Sequence, residues 1–578
     1  MNYTKNFLAV SLYFFTLGFV YASYPVSRVH YEYGSSSQDL PSLSPLREAS
    51  VQLEDDRKEV ELDNLIRGAS LILELSHKDL FKLSEVPLHF LKSKGFAGMV
   101  AFPDPNDIDP VSGEDLRLSG DTTLTIKIWV SRLESVAVQS AGVSERQKNR
   151  IMKAVDKFVE KEQAEGKPIT QDLLARLKDY GTHSSRSSRV LLSATESEPG
   201  MVQAVMKVKE REDRPNFLFS ASNAGSESTG EWLFSGSYMN DQLTGIDDAL
   251  TLSYISSNTG ERQGVNANYY IPLLAPEVVS LGVGVGYSTY DASTFAHTLI
   301  DFEGDSVFAD LSILLKPLSW RNESAMVSLE SGLNFENVSA FNSISGSARF
   351  TTLTPRLVLS VDSKGENRLG KTSLTLKGNL SSIDEADQLA MGGDNTTDTY
   401  SRFIFQHLEN WKIGRIFAAG REGQAPYLDR HLMSLRLEAS WALSSRRHLP
   451  QHQFITGGSS SVRGYPESLV AGDSGYLFSL EYRIPYLLIS GDSDDQQLAW
   501  SLVPFLDIGA TKVNDARFYE SSYTLFGMGL GLEFQLPYGA YARIDFAKPL
   551  KELSRMGTPV DGTEGGDYRV HGNLSWKF

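Results

Sequence analysis

The stretch Val279-Ser280-Leu281-Gly282-Val283-Gly284-Val285-Gly286-Tyr287-Ser288 decides the fold class of this chain. Its apolar residues occupy every second position, and only serine and glycine stand between them. Because successive side chains of a β-strand point to opposite faces, this pattern predicts a strand with one apolar face and one small or polar face.

The same alternation continues from Pro215 to the last residue, and helical periodicity is absent from that segment. It is clear at 433–441 and 526–535, and again at the C-terminus, where the chain ends on an aromatic residue. We place sixteen strands in the segment, beginning near residues 216, 231, 248, 264, 279, 306, 323, 347, 371, 401, 432, 475, 499, 524, 539 and 568.

Two architectures bury such strands: a soluble β-sandwich or barrel, and a barrel whose apolar outer face contacts lipid. A tilted strand of about 9–11 residues crosses a bilayer. A sheet edge in lipid would leave backbone N–H and C=O groups unpaired, so a membrane sheet must close. The even strand number and the export signal described below favour the membrane barrel. We therefore predict a mainly β protein with a sixteen-stranded antiparallel transmembrane β-barrel over residues 216–578.

Residues 1–22 have the features of a signal peptide. Lys5 is the only charged residue before the apolar run Phe7–Val20, and Ala22 provides a small residue for cleavage. No later segment reaches the roughly 18 consecutive apolar residues that a transmembrane helix requires. We expect an exported chain, cleaved after Ala22, that crosses no membrane by helices.

Composition excludes several classes of function. The chain has 578 residues, a formal net charge of -17 and no cysteine. The absence of cysteine excludes a disulfide framework, a thiolate metal site and a cysteine nucleophile. Nucleic acid is not expected as a partner, because its phosphates require a basic face.

The segment that follows the signal peptide predicts a poorly structured extension. We assign residues 23–68 to an N-terminal extension or linker. Ser23–Leu46 is rich in Ser, Pro and Tyr, a composition that predicts a flexible leader. Val51–Arg67 is strongly charged and could form a helix.

Two small α+β modules are predicted next. The first, residues 69–133, contains a strand at Leu71–Leu75, a helix capped by Ser84 and ended by Gly95, and an alternating strand at Thr123–Val130.

The second module covers residues 134–214. Ser144 and Gln147 form a capping-box pattern that opens one helix, and Thr170 precedes another. Three strands complete the module, at Glu134–Ser140, Val190–Ser193 and Val202–Val208. The order strand, helix, helix, strand, strand follows.

A long connection at 444–474 is the strongest candidate for a functional loop, because antiparallel connections are usually short. It contains Arg463 between Val462 and Gly464. If the loop folds back into the barrel lumen, a desolvated guanidinium there requires a carboxylate. Asp507 is a candidate partner on a following strand, and Glu481 is a second.

Catalytic and metal sites are not predicted. A nucleophile elbow, an HExxH motif and a nucleotide-binding loop are all missing from the sequence. The histidines of the loops, His431, His448 and His452, are interpreted as solvated loop or lumen residues. The segment 392–395 is interpreted as a polar turn, because EF-hand spacing is absent. We expect no enzyme activity, no metal and no cofactor.

The motif Val462-Arg463-Gly464-Tyr465 resembles the lumen-inserted loop tip after barrel strand eleven of the two-partner secretion transporters, the haemolysin secretion and activation type (ShlB/FhaC/HecB). That family lies in the superfamily that includes BamA. Phe505, Asp507 and Gly509, in alternate positions, resemble the family's partner motif on strand thirteen. The resemblance implies two periplasmic POTRA domains before a sixteen-stranded outer-membrane barrel, and an Arg463–Asp507 pair.

The resemblance extends to the end of the chain, where Phe578 is similar to the signal read by the barrel assembly machinery. It implies an outer-membrane transporter, exported by its signal peptide, that secretes a partner polypeptide by type V, two-partner secretion. The POTRA modules would capture the unfolded substrate by strand addition at sheet edges, which we expect at Thr123–Val130 and Val202–Val208.

Three other functions remain open from the sequence. A BamA-type insertase would by resemblance have about five POTRA domains, whereas residues 23–215 have room for two. A passive porin would need neither these modules nor the loop with Arg463. An outer-membrane enzyme would need a catalytic motif.

Overall fold

The computed structural model describes residues 23–34, 39–53, 58–68, 71–195, 200–211, 216–274, 278–292, 302–317, 320, 324–393, 395–414, 430–489, 498–517, 522–555, 558–560, 562–564 and 566–578. The predicted signal peptide lies outside these residues. The chain forms two compact units, residues 1–211 and 212–578. In the described ranges, none of the helices is both long enough and apolar enough to cross a membrane.

The second unit is a closed antiparallel barrel of sixteen strands. They are β1 (Phe217–Ser222), β2 (Leu233–Asn240), β3 (Ala249–Ser257), β4 (Arg262–Leu274), β5 (Val279–Ala292), β6 (Phe302–Leu315), β7 (Ala325–Asn342), β8 (Gly346–Lys364), β9 (Arg368–Gly378), β10 (Ser401–Lys412), β11 (Leu432–Ala442), β12 (Ser474–Ile489), β13 (Leu498–Lys512), β14 (Tyr523–Gln535), β15 (Ala540–Pro549) and β16 (Arg569–Lys577). Each begins within four residues of its predicted position.

Closure is achieved between the first and last strands. β1 pairs antiparallel with β16, from Leu218 opposite Lys577 to Ser222 opposite Asn573. All remaining pairings of the barrel join strands that are neighbours in the sequence. The predicted fold class, a sixteen-stranded antiparallel barrel in a mainly β protein, is therefore confirmed.

The apolar residues of the stretch 279–288, with which the sequence analysis began, face outward. Val283, Val285 and Tyr287 are exposed, whereas Ser280 and Gly282 are buried on the inner face. An outward apolar face with a small or polar inner face is the arrangement of a barrel that contacts lipid. The alternating positions of the sequence thus correspond to the outer and inner faces of the barrel wall.

The connections after β9, β11 and β15 lie at one end of the barrel. Because the strands are antiparallel, all connections after odd-numbered strands meet at this end, which we call the loop end. The connection after β9 contains a short helix, Glu385–Ala390, and packs against Leu449 of the connection after β11. Short strands in the loops lie at Thr396–Thr397, Arg447–His448, Phe454–Thr456, Val470–Gly472, Ser554–Arg555 and Thr558–Pro559, with a 3-10 turn at Pro450–His452.

The first unit contains two sheet-and-helix modules. In the first, Arg28–Tyr33 is parallel to the central strand Thr123–Val130, and Met99–Pro103 is antiparallel to it. Helices Leu62–Arg67 and His77–Ser93 pack in the same module. Two further antiparallel pairs, Tyr24–Val26 with Leu73–Leu75 and Ser50–Leu53 with Lys58–Glu61, and a 3-10 helix at Ser44–Glu48 complete it.

The prediction of a flexible leader at Ser23–Leu46, continued by a linker to residue 68, is wrong. Tyr24, Val26 and Val29 are at most 1% exposed and belong to the hydrophobic core of the first module. The Ser- and Pro-rich composition concealed two short alternating strands, whose partners lie far away in the sequence.

The predicted start of the helix in the first module is also wrong. The helix begins at His77, where Ser76 and Asp79 form a capping box: the Asp79 N–H donates to Ser76 Oγ at 3.2 Å, and the Ser76 N–H donates to Asp79 Oδ2 at 3.0 Å. Ser84 therefore lies inside the helix and donates to the carbonyl of Leu80. Pro87 lies in the interior of the helix.

The second module has the predicted order of elements. Strand Arg132–Ala141 is followed by helices Glu145–Glu165 and Gln171–Gly181 and by strands Arg186–Ala194 and Met201–Glu210. Both helix starts have the predicted caps: Gln147 N–H donates to Ser144 Oγ, and Leu173 N–H donates to Thr170 Oγ1.

The predicted sheet edges are wrong. Thr123–Val130 and Met201–Glu210 are the central strands of their three-stranded sheets. Their alternate buried residues signalled a packed strand but could not show that both sides were already paired. The edge strands are Arg28–Tyr33 and Met99–Pro103 in the first module, and Arg132–Ala141 and Arg186–Ala194 in the second.

Candidate functional site

The connection between β11 and β12 folds into the barrel. Its two arms pair as a hairpin, with Phe454 opposite Gly472 and Thr456 opposite Val470. Beyond the hairpin, the tip of the loop packs into a hydrophobic cluster with residues of the barrel wall. The members of this cluster are Phe454, Val462, Tyr465, Val470, Leu477, Leu525 and Leu553.

The loop tip reverses direction at Arg463-Gly464. Gly464 has φ +95°, a left-handed conformation that favours glycine. A Cβ at this position would lie 2.7 Å from the carbonyl carbon of Lys548 on β15. Glycine is therefore required both for the turn and for the close approach of the loop to the wall.

Arg463 is buried in the lumen against Asp507 of β13. Its Nε donates to Asp507 Oδ2 at 2.7 Å and its Nη2 donates to Oδ1 at 2.8 Å, a bidentate pair. The backbone N–H of Arg463 donates to Oδ2 as well, at 3.1 Å. Arg463 is 4% exposed and Asp507 is fully buried. Two planar hydrogen bonds between buried charges are the strong form of this interaction.

Other groups surround the remaining faces of the guanidinium. Nη1 donates to Glu481 Oε1 at 2.6 Å and to Asp545 Oδ2 at 3.2 Å. The guanidinium carbon lies 3.5 Å from the centroid of the Phe505 ring, a cation–π contact. Asp507 and Glu481, the two candidate partners from the sequence, thus both bind Arg463, and Phe505 contacts it from the ring face.

The pair belongs to a larger ionic network on the inner wall. Arg543 donates to Glu481 at 2.7 Å, to Glu533 at 3.0 Å and to Asp545 at 2.9 Å. Arg483 adds two hydrogen bonds to Glu533, at 2.6 and 3.0 Å. Sequence reasoning missed Arg483, Glu533, Arg543 and Asp545. The signal was available, because each stands at an inward position of an alternating strand, with Arg543 directly opposite Glu533.

Glycines of β13 and β14 make room for the loop. A Cβ at Gly509 would lie 2.7 Å from Val462 Cγ2, and a Cβ at Gly527 would lie 2.0 Å from the carbonyl oxygen of Arg463. This explains the glycine of the motif on β13. Gly527 was not predicted, although it stands among alternating glycines in the sequence.

Tyr465 attaches the loop to the backbone of the loop end. Its hydroxyl donates to the carbonyl oxygen of Lys551 at 2.7 Å. It accepts the backbone N–H of Lys551 at 3.2 Å and that of Phe526 at 3.3 Å. Val462 and Tyr465 are fully buried. All four residues of the loop motif therefore contact the inner wall.

Phe578 lies at the closure seam, far along the chain from the loop motif. Its backbone exchanges two hydrogen bonds with Phe217, at 2.9 and 3.1 Å. Its ring stacks on Phe217 at 5.5 Å and on Phe219 at 5.6 Å. The terminal residue thus completes the β1–β16 pairing and faces outward, where it is 52% exposed.

Comparison with known proteins gives one family and several similar structures. Residues 251–559, more than half of the chain, match the Omp85 superfamily domain. The fold is similar to CdiB from Escherichia coli, with a TM-score of 0.61 and 15% identity, over 97% of this chain and 92% of that one. A comparison with curated proteins gives no match.

Two further structures share the fold. CdiB from Acinetobacter baumannii has a TM-score of 0.55 and 14% identity, over 96% of this chain and 90% of that one. BamA from Haemophilus ducreyi lacking POTRA domains 1-3 has a TM-score of 0.50 and 14% identity, over 88% and 95%. At these identities the likeness concerns the fold.

Proposed function

This chain belongs to the Omp85 superfamily, and from that premise we propose that it secretes a partner polypeptide across the outer membrane by two-partner secretion. Membership of the superfamily predicted from the sequence is confirmed, and it places the barrel in the outer membrane. The proposal concerns the cargo and the way in which the chain handles it.

The observation that carries the proposal is the buried loop tip with Arg463. A passive pore has no need for a loop fixed inside its lumen by several charge-assisted hydrogen bonds. Such a network is fully satisfied at rest, yet each of its members is polar and can be rehydrated once the loop moves. We infer that the loop holds the resting arrangement and is displaced when the polypeptide passes.

Capture of the substrate is assigned to the first unit. Its two modules have the strand and helix order of POTRA domains, and we propose that they lie in the periplasm. Each module has edge strands, and an extended polypeptide can add to such an edge through main-chain hydrogen bonds with little sequence demand. Arg186–Ala194 is the favoured edge, because it carries an exposed apolar side chain, Leu191.

The alternative is insertion of other barrels into the outer membrane, the BamA-type function. The shared fold with BamA leaves this function open. The described part of the first unit forms two modules, fewer than the resemblance predicts for an insertase. Secretion of a dedicated partner is therefore the preferred proposal.

The test compares cells with and without an intact copy of this chain. Export of a large secreted protein encoded beside its gene should disappear when the chain is missing and return with the wild-type copy. The amounts of other folded outer-membrane barrels should stay unchanged. Failure of those barrels to assemble, with export lost only as a consequence, would favour the insertase instead.

A further inference from the structure

A second group of charged side chains lies at the loop end, apart from the Arg463 network. Lys377 of β9 stands directly opposite Arg402 of β10, so both side chains point to the same face. Arg402 is 6% exposed and Lys377 is partly buried. Like charges directly opposite in a sheet destabilise the pairing. This pair therefore needs a compensating group.

The imidazoles of His448 and His452, two residues of the long loop, lie near Lys377 and Arg402. The side chains of Lys377, Arg402 and His448 all act electrostatically on His452. The Tyr400 ring lies 4.3 Å from the His452 ring and 5.3 Å from the His448 ring, between centroids. Strands β9 and β10, the segment before β10 and the base of the loop thus converge on one cluster. We call Lys377, Arg402, His448 and His452 the basic cluster.

Several buried nitrogen atoms of the basic cluster lack a hydrogen-bond partner among the described residues. Across the described residues, Arg402 Nε, both ring nitrogens of His448 and Nε2 of His452 are buried without a hydrogen-bond partner. His448 is 1% exposed. Among the described residues, the Arg402 guanidinium donates one hydrogen bond, from Nη2 to the Asp473 carbonyl oxygen at 3.3 Å. Buried polar groups are normally satisfied, so these atoms indicate a missing partner.

The nearby Asp473 carboxylate acts through its charge on Arg402 and His448, but it does not accept hydrogen bonds from their unpaired nitrogens. Asp473 accepts the backbone N–H of His448 at 2.7 Å and that of Asn514 at 2.6 Å, together with Gln453 Nε2 at 3.3 Å. Glu336 acts on Lys377 only through its charge. In the part of the chain that the structure describes, neither Lys377 nor Arg402 forms an ion pair.

The neighbouring arginine shows the contrast. Arg356 of β8 stands opposite Lys377 on its other side. Its guanidinium is paired with Asp310 and, at 2.8 Å, with Glu330. Arg356 is thus neutralised by protein carboxylates, whereas Lys377 and Arg402 form no ion pair among the described residues.

We propose that the basic cluster binds a phosphate-class oxyanion. A tetrahedral oxyanion has several acceptor oxygens, which match a guanidinium, an ammonium and imidazole N–H groups that approach from different elements. Its negative charge would neutralise the Lys377–Arg402 pair. Because His448 and His452 belong to the long loop, a bound anion would fasten the base of that loop to β9 and β10.

The test measures hydrogen–deuterium exchange of residues 443–473 in the purified full-length protein in detergent, while inorganic phosphate replaces chloride at constant ionic strength. Phosphate should slow exchange in a saturable way. Lys377→Met and Arg402→Met should each weaken the apparent affinity at least about tenfold, since each removes a charge-assisted hydrogen bond. The matched control is Lys371→Met, an exposed lysine at an inward position of β9, which should respond like the wild type.

A measurement without phosphate guards against misfolding as an explanation. Lys377→Met removes the like-charge neighbour of Arg402, so in phosphate-free buffer its melting temperature should equal or exceed that of the wild type. A lower melting temperature together with an unchanged phosphate response would overturn the proposal. Equal phosphate responses in all variants, or no response in the wild type, would also overturn it.

A second experiment distinguishes lipid phosphate from free inorganic phosphate as the source of the anion. The wild type is reconstituted in phosphatidylglycerol vesicles without free phosphate. Slow exchange of 443–473 that is sensitive to Lys377→Met would show that lipid phosphates fill the cluster. Fast exchange that slows only when inorganic phosphate is added would assign it to a free anion.

Discussion

Arg463 is stable inside the barrel because every face of its guanidinium meets a partner. Asp507 binds it with two hydrogen bonds, Glu481 and Asp545 take Nη1, and the Phe505 ring covers it. Removal of one partner from a buried ion pair costs about 3–5 kcal/mol, because the other charge is left unpaired. The loop should therefore depend on this one side chain more than on any single apolar contact.

Arg463→Ala should release the loop without preventing barrel formation. The variant leaves Asp507 buried without its guanidinium, so docking of the loop should lose about 3–5 kcal/mol. Hydrogen exchange of residues 443–473 should accelerate, and partner export should fall. Arg356→Ala is the matched control, since Arg356 pairs with Asp310 and Glu330 rather than with the loop. Normal export by a well-folded Arg463→Ala protein would contradict this role.

Gly527→Ala should displace the loop while every charge stays in place. The added methyl would lie 2.0 Å from the carbonyl oxygen of Arg463, which is closer than any real contact. Faster exchange of 443–473 and higher single-channel conductance are expected. Gly572→Ala on β16 is the control, because a Cβ there meets no atom within 4 Å. If the two variants behaved alike, the glycine would not be the feature that admits the loop.

Much of this site follows from simple rules applied to the sequence. An arginine in a loop that folds inward needs a carboxylate, and alternation places Asp507 and Glu481 on inner faces. Arg543 and Glu533 also stand at inward positions, but only the register between β14 and β15 shows that they lie directly opposite each other. In a hairpin the register is set by the turn and by the alternation of the two strands, so the turn between β14 and β15 must be placed before this pair can be found.

At the scale of elements, the helix His77–Ser93 illustrates how a distant side chain repairs a local defect. Pro87 has no N–H, so the carbonyl of Leu83 loses its helical hydrogen bond. The Tyr31 hydroxyl donates to that carbonyl at 2.9 Å. The proline is tolerated in the helix interior because a strand residue supplies the missing donor.

Tyr31→Phe should destabilise this helix only while Pro87 is present. Loss of the hydroxyl leaves a carbonyl unsatisfied, at a cost of about 1–3 kcal/mol. In a Pro87→Ala background the backbone N–H of residue 87 can take over, so the same change should cost less. Hydrogen exchange of residues 77–93 in the four proteins of this cycle measures the difference. Equal effects in both backgrounds would mean that the tyrosine does not compensate for the proline.

Elements were predicted well where their signal is local. The caps Ser144 and Thr170 lie at real helix starts. Ser84 was predicted as the cap, whereas the cap is Ser76, and the Tyr31 hydroxyl that permits an interior proline lies 52 residues away from Leu83. Sheet edges were misassigned for a related reason, since burial of alternate residues does not reveal how many neighbours a strand has.

At the scale of the whole molecule, the barrel could be predicted because its strands are joined in sequence order. Each strand pairs with its neighbours along the chain, so counting alternating segments gives the architecture. The first module could not be predicted in that way. Its strand Arg28–Tyr33 pairs with Thr123–Val130, with the helices and the other strands of the module between them in the sequence, and no count of local patterns reveals such a partner.

The central claim is that a partner polypeptide passes through the lumen beside the Arg463 loop, and site-specific photo-crosslinking in cells tests it most directly. A photoreactive residue is placed at Asn573, which lines the lumen with Arg463, or at Leu574, the next residue, which is 51% exposed on the outer face. During export, the account predicts a crosslink to the partner from position 573 and none from position 574. Absence of a crosslink at 573, or equal crosslinks at both positions, would contradict it.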